Sequence, residues 1–200
     1  DALAISYGTM HGASKGKDVK LRKEIAMAIR ECLSHEGIFG ALVSHGSSTV
    51  PKYIVDENNA LGGDLTNTYG IAVEELQAAI SCGINKINVD TDIRLAVTRN
   101  MKELFVKYPE LRTSTSIGEI YELLEAKKSQ FDPRVFLPPI MDTVMKGNIP
   151  DEDVAAIVNC VERGVKEVVG TLIVQFGSFG KAPLVEQVTL EEMIERYKKI

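Results

Sequence analysis

The sequence predicts an α/β protein and, within that class, a (β/α)8 (TIM) barrel, and two observations lead to this fold. Short apolar runs alternate with stretches of helical periodicity, which is typical of parallel strands joined by helices. Each apolar run also ends in polar, reactive side chains, and enzymes with this barrel keep their chemistry at the carboxyl ends of the strands. The three runs are "ALAISYG", "IFGALVSHG" and "KINVDTDI". The chain is therefore expected to supply about the last three strands of a barrel.

The predicted strands cover about residues 1–8, 38–45 and 85–91. They are short and aliphatic, as expected of strands that are buried on both faces of a parallel sheet. Between them, residues 21–35 and 73–81 repeat apolar side chains every three or four positions, which predicts two helices. The order of strands and helices predicts right-handed crossovers between parallel strands.

From about residue 93 to residue 200, the chain is predicted to form a helical C-terminal extension. Its helical patterns, interrupted by proline, cover about residues 93–108, 117–128, 135–145 and 151–176. The stretch "LGGDLTNTYG" predicts a surface loop, because glycine, asparagine and threonine favour turns. The residues after Leu184 carry no pattern that assigns a structure.

Three strands cannot close a sheet, and apolar parallel strands at an open edge invite aggregation. The chain also begins with Asp1 and enters its first apolar run at once. We therefore expect residues 1–200 to be the C-terminal part of a single barrel domain, whose other strands belong to another chain or to a missing segment. An open doubly wound sheet is the alternative, and the polar residues at the strand ends favour the barrel.

Composition excludes several classes of partner. The 200 residues carry a net charge of −5 with both signs interspersed, so no basic face is available for nucleic acid. No apolar run approaches the length of roughly 18 residues that a membrane span needs, and no signal peptide opens the chain. We therefore expect a cytoplasmic protein. Its three cysteines are widely spaced, which predicts buried thiols rather than disulfides or a metal knuckle.

Two of the three histidines end apolar runs, and each is followed by glycine: His11 and His45. Imidazole is the commonest ligand for zinc and similar metals, and a catalytic zinc typically keeps three protein ligands and an open position. The pair is therefore predicted to bind a divalent metal, the alternative being that each imidazole merely satisfies a nearby carbonyl. His35 lies near a predicted helix end, where it would interact with the helix dipole.

The residues beside the histidines are candidates for binding a phosphate. Glycine lets the backbone approach a bound group, and successive N–H groups in such turns bind anions. Plain turn geometry is the alternative for the glycines. The candidates are Gly12, Lys15, Gly46, Ser48, Asp90 and Thr91.

Four charged residues at the end of the third apolar run or after it can be interpreted in more than one way: Asp90, Asp92, Arg94 and Arg134. Asp90 and Asp92 would share one face if both belonged to a strand, while Asp92 could instead cap the helix that follows. Arg94 and Arg134 could bind a phosphate through two hydrogen bonds, or pair with surface carboxylates.

Five motifs resemble the class II, metal-dependent fructose-1,6-bisphosphate aldolases in content, order and spacing, over roughly residues 1–182. They are "GTMHGASKG", "VSHGSSTVP", "KINVDTDIRLA", "FDPRVFL" and "QFGSFGKA". The resemblance implies a zinc-dependent (β/α)8 lyase of glycolysis and gluconeogenesis, with zinc or another divalent metal as cofactor. It would cleave fructose 1,6-bisphosphate reversibly to dihydroxyacetone phosphate and glyceraldehyde 3-phosphate. The three predicted strands would be the sixth, seventh and eighth.

The resemblance also implies a role for each candidate residue. The metal ligands are His11 and His45. The group that holds the phosphate of dihydroxyacetone phosphate is Gly12, Gly46, Ser48, Asp90 and Thr91, with Lys15 beside it. Asn88 contacts the part of the substrate that becomes the enediolate. Arg94 and Arg134 match residues that bind the distal phosphate, and we favour Arg94 because it directly follows the eighth strand.

Partners follow from the same resemblance. In some family members one of these arginines comes from a neighbouring subunit, which implies a homo-oligomer, and backbone carbonyls near Gly12 and Gly46 can hold a monovalent cation. The family's third metal histidine and its proton-transferring glutamate belong to earlier strands that this chain lacks. A tagatose-1,6-bisphosphate aldolase and a non-catalytic sugar-phosphate-binding relative are the alternatives.

Overall fold

The structure is a computed structural model that describes residues 2–12 and 15–198, and it contains a parallel three-stranded sheet. The strands, in chain order and in spatial order, are β1 (Ala2–Ile5), β2 (Ala41–Ser44) and β3 (Ile84–Ile87). Both neighbouring pairs are parallel, as predicted. Each strand is shorter than predicted, and Asp1 lies outside the described residues.

The helices within the described residues are α1 (Lys23–His35), α2 (Lys52–Ala60), α3 (Val73–Ser81), α4 (Thr91–Lys107), α5 (Gly118–Ala126), α6 (Pro138–Met145), α7 (Glu152–Gln175) and α8 (Leu190–Tyr197). Short 3-10 turns lie at Pro109–Thr113, Pro133–Val135 and Ala182–Leu184. The four helical patterns predicted between residues 93 and 176 correspond to helices α4, α5, α6 and α7. Within this part of the chain, no helix is long and apolar enough to cross a membrane.

The helices α2 and α8 were not predicted from the sequence. In α2 only Ile54 and Val55 are buried apolar residues, and they are adjacent, so the helix lacks a repeated apolar spacing. Helix α8 does carry a start signal in its sequence. Thr189 and Glu192 form a reciprocal capping box at its first turn.

The side chains pack into a sheet core and a helical core. The sheet core lies between the strands and helices α1 and α3, and it includes Ile5, Tyr7, Leu42, Ile71, Leu76 and Ile84. The helical core joins α4 to helices α5, α6 and α7, and it includes Met101, Phe105, Ile117, Ile120, Phe136 and Ile157. A smaller group, with Ile54, Leu95 and Val168, links α2 to α4 and α7. Helix α4 therefore connects the sheet end of the molecule to its helical end.

Burial of the strands differs from the prediction. Only β2 has three fully buried residues, whereas in β1 Ala2, Leu3 and Ala4 are exposed, with Leu3 48% accessible. In β3, Asn85 and Lys86 are exposed. The reason is position, because β1 and β3 are the two edges of the described sheet and each packs against one neighbour only.

The cysteines also differ from the prediction in part. All three are free thiols, which agrees with the absence of a disulfide framework. Cys160 is buried and Cys82 is half-buried, but Cys32 is exposed. Cys32 lies on α1, whose inward face is occupied by Ala26, so the expectation that all three thiols are buried is wrong. His35 lies in the last turn of α1, where the sequence placed it.

Candidate active site

The candidate site lies at the carboxyl edge of the sheet, where the segments that follow the three strands meet. The backbone N–H of Asn88, after β3, donates to Ser44 O at 2.9 Å, and Ser47 N–H donates to Asn88 O at 3.2 Å. A Cβ at Gly46 would lie 3.1 Å from the carbonyl carbon of Met10. The predicted convergence of polar residues at one edge is therefore present.

The two predicted metal ligands are neighbours in space. The ring centroids of His11 and His45 lie 5.0 Å apart with an interplanar angle of 52°, and both residues are exposed. Two imidazoles bound to one tetrahedral zinc, with nitrogen–zinc distances of about 2.0–2.1 Å, would place their centroids about 5 Å apart. The pair therefore fits a shared metal. Among the described residues, no group of three or more His, Cys, Asp or Glu side chains could hold one.

Gly46 makes this approach of the two loops possible. Its φ is +68°, in the left-handed region that side chains disfavour. A Cβ at this position would also lie 3.2 Å from the backbone nitrogen of His11. A larger residue would therefore push the His11 segment away from His45. At Gly12, glycine is favoured by backbone conformation alone, since the φ of this residue is +97° and a Cβ would meet nothing within 4 Å.

Ser48 lies against the start of α4. Its Oγ accepts hydrogen bonds from the backbone N–H groups of Asp90, at 3.2 Å, and Thr91, at 3.1 Å. Ser48 is buried, with 5% of its surface accessible. These are the hydroxyl and the two amides predicted to hold a phosphate, and the structure brings them together at a helix N-terminus, which favours negative charge.

Lys15 is buried, with 3% of its surface accessible, and its ammonium faces backbone carbonyls. The Nζ donates to Gly46 O and, at 3.2 Å, to Ser48 O. Burial lowers the pKa of Lys15 to about 8, an effect that the carboxylate of Asp92 partly offsets. The lysine thus binds the turn that carries His45 and Ser48.

Asp92 is fully buried and binds the backbone of the turn after β2. Its carboxylate accepts from Thr49 N and Oγ1, at 3.0 and 2.6 Å, and from Val50 N at 2.9 Å. Val50 has φ +50°, an uncommon conformation for a β-branched residue, and these bonds stabilise it. Both expectations for Asp92 are wrong. Helix α4 already begins at Thr91, so Asp92 neither shares a strand face with the exposed Asp90 nor occupies the capping position.

The two arginines meet at Asp132. Arg94 donates from Nη1 to Asp132 Oδ2 at 2.8 Å and from Nε to Asp90 Oδ1 at 2.9 Å. Arg134 donates from Nη2 to Asp132 Oδ2 at 2.6 Å. Hydrogen bonds from Arg134, together with the charge of Arg94, hold the pKa of Asp132 below its usual value. In this structure both guanidinium groups pair with carboxylates.

A buried chain of hydroxyl groups lies behind the site, and the sequence did not single it out. The hydroxyls of Tyr7 and Ser44 are hydrogen-bonded, and Ser44 Oγ lies 2.5 Å from Ser47 Oγ. All three residues are at most 1% accessible. Burial raises the pKa of Tyr7, and the bond to Ser44 partly offsets it. The signal available was the tyrosine near the end of the first apolar run, "ALAISYG", directly before a glycine. The remaining candidate, Asn88, accepts from Lys86 Nζ at 2.6 Å through its side-chain oxygen.

Known proteins are similar to this chain over nearly all of its length. The family described as "Fructose-bisphosphate aldolase class-II" matches residues 1–181. A fructose-bisphosphate aldolase of Xanthobacter flavus is 34% identical over 98% of this chain and 44% of its own length. A fructose-bisphosphate aldolase of Nostoc sp. is 34% identical over 100% of this chain and 44% of its own length. A fructose-bisphosphate aldolase of Giardia intestinalis is 34% identical over 99% of this chain and 48% of its own length. The chain thus spans less than half the length of these relatives.

Proposed function

The chain belongs to the class II fructose-bisphosphate aldolase family, and we propose that it supplies metal- and phosphate-binding residues of an aldolase that cleaves fructose 1,6-bisphosphate reversibly. The observation that carries the proposal is the 5.0 Å separation of His11 and His45 beside the amides of Asp90 and Thr91. The histidine pair would bind a metal, and the first turn of α4, which is joined to the same turn after β2 through Ser48, would bind an anion. A sugar phosphate presents the two matching groups, a chelating carbonyl–hydroxyl pair and a phosphate.

His11 and His45 would hold zinc or another divalent metal. Such a metal polarises a carbonyl oxygen and stabilises the negative charge that develops when a carbon–carbon bond breaks. Both imidazoles are exposed at the sheet edge, so a substrate can reach the ion that they hold. Asn88 follows β3 at the same edge, and we assign it the contact with the reacting end of the substrate.

The phosphate of dihydroxyacetone phosphate would bind at the first turn of α4. The N–H groups of Asp90 and Thr91 point at Ser48 Oγ in this structure, and a phosphate oxygen can accept the same bonds. Gly12 and Gly46 would present backbone N–H groups to an anion on the histidine side, since both have left-handed φ values of the kind found in anion-binding turns. Space beside the backbone is open at Gly12, where a Cβ would meet nothing within 4 Å.

The distal phosphate would bind Arg94 or Arg134. A phosphate is a better partner than a carboxylate for a guanidinium fork, since it offers more oxygens and more charge. Either arginine would exchange its bonds to Asp132 for bonds to the substrate. Their meeting at one carboxylate supports a single distal subsite.

We also propose that the three strands belong to a (β/α)8 barrel. A catalytic zinc typically has three protein ligands, and the two proposed here, His11 and His45, leave one to be supplied. The exposed Leu3 on the edge strand β1 supports further strands beside it. The remaining strands would supply a third ligand, and the active protein would be a cytoplasmic homo-oligomer.

The test is metal content and cleavage by the purified native protein. His11→Ala and His45→Ala are each expected to lose bound zinc and to abolish cleavage of fructose 1,6-bisphosphate. His35→Ala, on the exposed last turn of α1, serves as the matched control and should retain both. Full zinc content in either site variant would remove that ligand from the proposal. Faster cleavage of tagatose 1,6-bisphosphate would reassign the substrate, and zinc binding without cleavage of either sugar would indicate a non-catalytic relative.

A further inference from the structure

The ammonium of Lys15 links two segments of the candidate site that are far apart in sequence. Lys15 follows the His11 segment, and its Nζ donates to the carbonyls of Gly46 and Ser48, after β2. Its own backbone N–H donates to Tyr69 O at 3.3 Å, which fixes the base of the side chain. With 3% of its surface accessible, Lys15 is a structural part of the site rather than a surface cation.

The two carbonyls belong to residues on which the site depends. Gly46 is adjacent to His45, and its carbonyl orientation is coupled to the backbone that positions that imidazole. Ser48 carries the hydroxyl that accepts from Asp90 and Thr91 at the start of α4. A single ammonium therefore acts on the metal-binding half and the phosphate-binding half at once.

Burial of a charged amine is costly unless the charge has partners. Here the partners are carbonyl oxygens, together with the more distant carboxylate of Asp92, which favours the charged amine. Without a cation, two carbonyls directed at one point would repel each other. The turn would then relax and move Gly46 away from the His11 backbone, against which it now packs.

We propose that Lys15 is a positioning residue, whose ammonium holds the Gly46–Ser48 turn in the conformation that pairs His45 with His11. The inference rests on the proposed function, since it assumes that the two imidazoles share a metal. It assigns Lys15 a role before any sugar phosphate binds, in addition to any contact with phosphate.

The experiment is a Co²⁺ titration of the native protein, followed by the visible absorption of the bound ion, in the absence of substrate. Lys15→Met keeps the length of the side chain and removes its charge, and it is expected to weaken Co²⁺ binding roughly tenfold or more, as loss of a residue that orients metal ligands does. The matched control is Lys17→Met, an exposed lysine two residues away, which should bind Co²⁺ as the wild type does. Ammonium or potassium chloride should partly restore Co²⁺ binding to Lys15→Met, whereas choline chloride at equal ionic strength should not.

Wild-type Co²⁺ affinity in a folded Lys15→Met, with a loss confined to inorganic phosphate binding, would overturn the inference and leave Lys15 as a phosphate contact only. Failure of the wild type to bind Co²⁺ through His11 and His45 would instead overturn the proposed function.

A second measurement needs no variant. Acetylation of the wild type, read by mass spectrometry, should modify Lys15 far more slowly than Lys17, and equal rates would contradict the buried ammonium.

Discussion

Arg94 and Arg134 donate to the same carboxylate oxygen of Asp132, at 2.8 and 2.6 Å. Arg94 lies near the start of α4 and Arg134 on the 3-10 turn Pro133–Val135, so one carboxylate joins the start of α4 to this turn. The family resemblance assigned both arginines to the distal phosphate, and the structure shows that both also reach one carboxylate. Their side chains differ in exposure, at 29% for Arg94 and 67% for Arg134, and the more enclosed guanidinium is the better candidate for a strong phosphate bond.

Arg94→Ala is expected to reduce cleavage of fructose 1,6-bisphosphate and to leave cleavage of fructose 1-phosphate almost unchanged. Loss of a charge-assisted bond costs about 1.5–3 kcal/mol, which corresponds to roughly tenfold to a hundredfold or more in kcat/KM. The measurement is kcat/KM for both substrates, with Arg134→Ala in parallel. An equal loss of kcat/KM on both substrates would show that Arg94 has a structural role. Binding of the distal phosphate would then be assigned to Arg134.

Glu75 should make the protein sensitive to acid. Its carboxylate accepts from Lys23 Nζ at 2.7 Å and from Leu21 N at 3.0 Å, and these bonds lower its pKa to about 2. Because the pKa is lower in the folded state, the stabilisation is present above the unfolded value near 4.5 and is lost as pH falls towards 2.

Glu75→Gln should therefore lower the free energy of unfolding by about 1 kcal/mol at pH 7, and the difference from wild type should shrink below about pH 4.5. Urea unfolding at a series of pH values measures it. Glu74→Gln, at the exposed neighbouring position of α3, is the control and should change little. A difference that stays constant with pH would rule out the carboxylate as its source.

Lys102 is expected to lower the stability of the helical core. It is 6% accessible, and its Nζ has no hydrogen-bond partner among the described residues. Burial lowers the pKa of this amine. Lys102→Met should raise the free energy of unfolding at pH 7 by about 1–2 kcal/mol, because it removes a buried ammonium that lacks a hydrogen-bond partner among the described residues and keeps the packing.

The gain from Lys102→Met should fall as pH rises towards the unfolded lysine pKa of about 10.4, since the amine then becomes neutral in both states. Chemical denaturation at pH 7 and pH 10 provides the comparison. Lys127→Met, at an exposed position after α5, controls for the change in net charge. Destabilisation by Lys102→Met would mean that the ammonium has a favourable partner.

Gly164 allows α7 to pack against α4. A Cβ at this position would lie 2.8 Å from the backbone nitrogen of Val97, so Gly164→Ala must separate the helices. We expect a loss of about 1–3 kcal/mol in the free energy of unfolding. Gly170 is on the same helix, and a Cβ there would meet nothing within 4 Å. Gly170→Ala should stabilise by about 0.5–1 kcal/mol through helix propensity. Equal effects of the two changes in urea unfolding would refute the close approach.

The sequence alone predicted the three strands, six of the eight helices within the described residues, and the family. Helix α3 was predicted at its observed bounds, and helices α1 and α4 to α7 to within three residues, because their apolar spacing repeats over several turns. The site motifs were recognisable for a related reason. The His-Gly steps and the run from Asn88 to Arg94 are each local in sequence. Parallel strands also bring their carboxyl ends to one edge of the sheet, independently of the conformation of the loops.

Only the tertiary structure decided which partner each polar side chain takes. Asp92 binds Thr49 and Val50, and Lys15 binds the carbonyls of Gly46 and Ser48, in each case across more than thirty residues of sequence. Hydrogen bonds form with whatever donor or acceptor lies within about 3 Å, and for a buried group that neighbour is set by packing between elements. Exposure of the edge strands and of Cys32 has the same origin. Periodicity shows which residues can face a core, and the neighbours present in space determine which of them do.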